Sequence, residues 1–208
     1  VLEKTLHSIM ISPTGISLKW TDNPYIFVLY AGLAAGIFEE VGRYIGFKLF
    51  LKDKTRYGDG LSLGIGHGGM EALLVGAFAG IYAIIFAHMI NSGTMPDVSS
   101  QVSSAQLADI KHHFVSQGFG TYFIAGIERI VAVIIQMFLS LVVLLAIRRD
   151  SFKYVLYAIG LHAVFDFVPA MYQATIIRSL WISEVILIIF GIIAAFMIFK
   201  MKRLYFEE

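Results

Sequence analysis

Glu39, Glu40 and Arg43 interrupt an otherwise apolar run from Tyr25 to Leu51, a stretch long enough to cross a bilayer. Each charge placed mid-helix costs roughly 2.5 to 3.5 kcal/mol on the insertion scale, against about 0.3 to 0.6 returned by each Leu, Ile, Phe or Val. Such groups cannot face lipid. They must pair with polar groups on neighbouring helices or line a small hydrated cavity. The residues available to meet them are His67 and Glu71, Gln136, and His162 with Asp166, where His67/Glu71 and His162/Asp166 each stand four apart on one helical face.

These residue types suit proton transfer. Two adjacent carboxylates in a poorly solvated place do not easily both ionise, so Arg43 is expected to hold one as an anion while the pair activates a water. His67 and His162 would donate to the oxyanion of a tetrahedral intermediate or protonate a leaving amine, with Asp166 and Glu71 fixing the imidazole tautomer. A zinc version uses His67, Glu71 and His162 as ligands. The H-E-x-x-H order is absent and Gln136 supplies only a neutral amide, so hydrolysis without a required cofactor is the expectation carried forward, with zinc as the alternative.

The elements that position these groups follow from hydropathy. The chain has 208 residues, 58% of them hydrophobic, and a mean hydropathy of +0.76. Several apolar runs reach twenty residues, which a soluble core cannot absorb. The sequence therefore predicts an all-α polytopic transmembrane helical bundle forming a single integral-membrane domain, with spans at about 25–51, 61–90, 121–147, 153–174 and 180–199. Val1 in place of Met suggests a trimmed N-terminus, and one more span upstream is kept open. Residues 91–120 read as a loop outside the bilayer, with a surface helix over 104–117 that carries His112 and His113 as solvated side chains. Glu184 lies near a helix end and is expected to snorkel. A net charge of +1 with no basic stripe gives no nucleic-acid partner, and the absence of cysteine excludes disulfides and thiol catalysis.

Lys48, Lys52, Lys54, Arg56, Arg148, Arg149, Lys153, Lys200, Lys202 and Arg203 fall on one side of this topology, against Lys19, Lys111 and Arg178 on the other. The positive-inside rule puts the richer set and the C-terminus in the cytoplasm. Counting from the cytoplasmic ends at about 1.5 Å per residue places Glu40, Glu71 and Gln136 at roughly 16 Å, with His162 and Asp166 on either side of that level. Polar groups from four helices thus share one depth. A purely structural polar belt would do this too, but structural glue tends toward Ser, Thr and Asn rather than toward Glu, His and Asp.

Glu39-Glu40-x-x-Arg43, Gly66-His67-Gly68-Gly69-x-Glu71, Glu128-Arg129 and His162-x-x-x-Asp166 together resemble the YhfC family of bacterial membrane proteins. That family is related to the CAAX protease and bacteriocin-processing (CPBP) superfamily. The resemblance covers about residues 25–175. It implies a glutamic-type intramembrane endopeptidase of the bacterial plasma membrane, in which Glu39 and Glu40 match the paired acids and His67 and His162 the two histidines. Its substrate would be a membrane-embedded or membrane-associated peptide in the lipid bilayer. Two departures stand out. Two residues rather than three separate the acid pair from Arg43, which is the YhfC variant, and Gln136 stands where YhfC-like sequences commonly carry a His. The competing classes are a proton-coupled transporter, which would reveal itself by solute flux, and a non-catalytic partner such as a bacteriocin-immunity factor, which would keep its cellular task without His67 and His162.

Overall fold

The computed structural model describes residues 2–12, 15–94, 108, 111–112, 115–116 and 118–206. Among these, helices account for all of the extended regular structure. The elements are α1 (Leu2–Met10), α2 (Pro24–Ile45) continued by a π-helical turn (Gly46–Phe50), α3 (Tyr57–Ser92), α4 (Phe119–Arg148), α5 (Lys153–Gln173) and α6 (Leu180–Phe206). Among the described residues five helices, α2 with its π turn and α3 to α6, are long and apolar enough to cross a membrane. The fold class is thus a polytopic helical bundle. The surface helix expected over 104–117 and His113 fall largely or wholly outside the described residues, while His112 is exposed.

The described chain divides into two compact units, residues 1–68 with 131–208, and residues 69–130. In the second unit the apolar side chains of α3, such as Leu73, Phe78 and Ile84, are exposed on all sides, as befits a helix solvated by lipid. Glu128 and Arg129 of that unit pair with each other.

The first unit holds the core and the polar belt. Asn23 begins α2, its side chain accepting from the Tyr25 and Ile26 amides, and Pro24 at the first helical position fixes the entry. α2 packs closely on α5 because its small residues leave room. A Cβ at Gly32 would come to 2.8 Å from the Ala163 carbonyl oxygen, and one at Gly36 to 2.8 Å from that of Ile159. α4 is the most enclosed helix, with Leu139, Leu141, Val143 and Leu144 fully buried. Tyr205 of α6 ties to it by donating to the Leu141 carbonyl at 2.5 Å. Below α1, Leu18, Phe27, Val28, Ala170 and Ala174 close a second apolar cluster.

The opening of α3 is set against α4 by Gly64 and Gly68. A Cβ at Gly64 would overlap the Met137 backbone, and one at Gly68 would stand 2.9 Å from the Gln136 Cβ. Gly66 faces away, with nothing within 4 Å of such a Cβ among the described residues. Gly64→Ala is therefore expected to cost about 1 to 3 kcal/mol by forcing the helices apart. Gly66→Ala should be neutral or gain up to about 1 kcal/mol from helix propensity. Thermal unfolding in detergent, followed by size-exclusion recovery, checks the contrast, and equal midpoints for the two variants would contradict the packing described.

Glu184, expected to snorkel, is instead buried at 4% exposure beside buried Ser183. A place near a helix end does not by itself decide exposure here.

Candidate active site

Glu39 and Glu40 are neighbours in sequence but point about 100° apart around α2, because successive helical residues do not share a face. Their environments differ accordingly. Glu40 is wholly buried, and both its oxygens accept from Arg43 Nη1, at 2.9 and 2.8 Å. Its Oε1 also meets His162 Nδ1 at 2.6 Å. The Glu39 side chain keeps 22% exposure. Its Oε2 lies 2.9 Å from His67 Nε2, 3.0 Å from Gln136 Nε2 and 3.8 Å from His162 Nε2. One carboxylate oxygen of α2 thus faces nitrogens from α3, α4 and α5.

Arg43 is the hub behind this arrangement. Its Nη1 grips Glu40, and its Nη2 donates to Gln136 Oε1. The guanidinium has no acceptor to offer, so the amide oxygen of Gln136 must turn toward it and the NH₂ group toward Glu39. Gln136 therefore presents a donor to the site rather than a ligand oxygen. The same logic orients His162. Glu40, held as an anion by Arg43, can only accept, so His162 Nδ1 donates and Nε2 faces the site. Glu40, rather than Asp166 or Glu71, is the carboxylate at Nδ1. Asp166 lies at the other nitrogen, its Oδ2 3.4 Å from His162 Nε2, with its side chain 37% exposed.

Nε2 of His162 consequently looks toward two carboxylates, Asp166 and Glu39. A neutral ring would aim a lone pair at both, so the geometry calls for a positive charge among them, either a proton on the ring or a metal cation. The donors suit a cation. Glu39, Glu40 and His162 offer ligand atoms all within 4.8 Å of one another. Among the described residues His67 approaches this set through Glu39, and the Glu40–His162 hydrogen bond is the kind of carboxylate contact that orients a ligating imidazole.

The residues picked out from sequence are distributed as follows. Glu39, Glu40, Arg43, His67, Gln136, His162 and Asp166 come together within the first unit. Glu71 follows one turn after His67 on α3 and belongs to the second unit. What the sequence did not reveal is the division of labour between the two acids. The Glu40/Arg43 spacing of three residues on α2, a salt-bridge register, is the signal that could have suggested it.

The family model described as YhfC intramembrane metalloprotease matches residues 1–187. A Bacillus subtilis (strain 168) protein described as an uncharacterized membrane protein, YhfC, is 34% identical over 207 residues, covering 99% of this chain and 80% of that protein. No solved structure matches. With its five apolar helices, this chain is a multi-pass membrane protein that belongs to the YhfC intramembrane metalloprotease family.

Proposed function

We propose that the chain hydrolyses a peptide bond within the membrane at the Glu39 site, with a divalent cation, zinc by its donor set, held by Glu39, His67 and His162. The observation that carries this reading is the single Glu39 oxygen facing both histidine Nε2 atoms while His162 Nδ1 is tied to a buried carboxylate. When bound, such an ion polarises the scissile carbonyl and makes water more acidic. The chain's own groups do the rest. Arg43 and Glu40 lock His162 in one tautomer and orientation. Gln136, turned by Arg43, offers its NH₂ group to the carboxylate or to the oxyanion that forms. The proton leaving the attacking water passes to Asp166, a partly exposed carboxylate, and is delivered to the amine nitrogen as the C–N bond breaks. Glu40 takes no part in that transfer, because both of its oxygens are buried and engaged. This gives the acid pair unequal roles, one reacting and one positioning.

A second, metal-free reading is the glutamic-type hydrolysis expected from the sequence and from what its resemblance to the YhfC family implies. It is favoured by the direct hydrogen bonds that already join Glu39 to His67 and Gln136. There Glu39 is the base and the proton on His162 is the positive charge. Elemental analysis of the purified protein separates the two. About one zinc per chain is expected, with His67→Ala and His162→Ala each lowering affinity by at least about 10- to 100-fold and a chelator stopping hydrolysis reversibly. Full hydrolysis by a metal-free preparation would leave only the second reading. The substrate follows in either case as a membrane-embedded or membrane-associated peptide. On this reading the membrane is a bacterial plasma membrane and the basic loops and the C-terminus face its cytoplasmic side, an orientation supported by the excess of Lys and Arg in those loops.

A further inference from the structure

Beside the Glu39 site, within the first unit, lies a cleft of about 320 Å³ that the chemistry above does not use. It runs between α1, α2 and α5. His7 and Gln173 line it toward the α1 end, Ala31, Ala35 and Ala170 form its walls together with Ile11, Phe27 and Pro169, and Asp166 lies two turns into α5 from Gln173. Its walls continue directly into the site. Ala31, Ala35 and Glu39 follow one another at four-residue steps on α2, so they share a face. Asp166 both lines the cleft and approaches His162 Nε2. The cleft therefore meets the reactive groups about one helical turn, roughly 5.4 Å, from Glu39. It does so from the end of the bundle where α2 begins and α5 finishes. Gln173 marks that end by donating to the Gly15 carbonyl at 2.6 Å. The basic segments 48–56 and 148–153 lie at the opposite ends of the same two helices.

We infer that this cleft is the port through which water and an extended peptide segment reach the site from the outer face of the membrane. The inference rests on the hydrolytic reading for its occupant and on the charge count for its side. The occupant is a peptide because the lining matches one. Its walls are apolar, with three alanines among them that leave space for side chains, polar groups stand at the mouth, and the far end opens onto groups that act on a peptide bond. An acyl chain would have no use for Asp166 at the end of its channel.

The chain contains no cysteine, so single introduced cysteines report alone. Ala31→Cys and Ala170→Cys are expected to react with a membrane-impermeant maleimide in intact cells at least tenfold faster than Lys54→Cys, which lies in a basic loop, and than Ile193→Cys on the lipid-facing surface of α6. Labelled Ala31→Cys should then lose at least 90% of its hydrolysis of a membrane reporter. Labelling only after permeabilisation, or no faster than at Ile193→Cys, would overturn the port. Rapid labelling with hydrolysis unchanged would overturn the peptide as its occupant. Because labelling does not require turnover, a protein that labels as expected but cleaves nothing would count against the hydrolase reading and leave the port in place.

Discussion

Glu39→Gln is expected to lower hydrolysis by about 10²- to 10⁴-fold while leaving the protein inserted and folded. The substitution keeps the side chain's volume and replaces an acceptor that three nitrogens face. It strands no fully buried charge, because Glu39 is 22% and His67 36% exposed at the side chain. Either reading of the chemistry loses its reacting group. With a cation, an amide is a poor ligand and the Glu39–His67–His162 set is broken. Without one, an amide cannot take a proton from water. The readout is cleavage of a membrane-embedded reporter by reconstituted protein, with size-exclusion recovery showing that the fold persists. Normal cleavage by Glu39→Gln would remove Glu39 from the chemistry.

Glu40→Ala should fail differently, through the fold. The Glu40 and Arg43 side chains are 0% and 1% exposed, and removing one partner leaves the other charge buried with nothing to offset it. Breaking such a pair costs about 3 to 5 kcal/mol, a large share of a typical domain's roughly 5 to 15 kcal/mol. The loss spreads, since His162 Nδ1 and the Gln136 amide are oriented by the same two residues. Replacing both together, Glu40→Leu with Arg43→Leu, removes the stranded charge and should recover much of the stability without restoring hydrolysis. Thermal unfolding of Glu40→Ala and of the double variant beside the parent checks this. A Glu40→Ala protein as stable as the parent would show that the pair does not hold the site.

The contrast between the two glutamates shows where sequence reasoning stops. Length and hydropathy suffice to mark five crossing helices, because lipid demands long unbroken apolar runs and nothing else in the chain resembles them. Depth counting put Glu40, Glu71 and Gln136 at one level with His162 and Asp166 on either side, since helical rise is fixed, and of these Glu40, Gln136 and His162 are joined in the first unit by Arg43 and hydrogen bonds. It could not say which of two adjacent acids turns inward, because that depends on helix rotation. Rotation is set by packing, here by Gly32 and Gly36 against α5. Nor could it orient the Gln136 amide, which is decided by an arginine 93 residues away. Glu184 went astray for a related reason. A helix end snorkels only if its neighbours leave it uncovered. The short α1 escaped notice because nine residues of mixed character carry too weak a pattern.

The most direct test of the account is hydrolysis by the purified chain alone. Protein reconstituted in liposomes with a membrane-embedded reporter peptide in H₂¹⁸O should yield two products, one carrying a single ¹⁸O in its new C-terminal carboxylate by mass spectrometry. Glu39→Gln prepared in parallel should yield neither. Failure of the parent protein to cleave any reporter, or equal ¹⁸O incorporation by the two proteins, would contradict the claim that the groups gathered around Glu39 form a hydrolytic site.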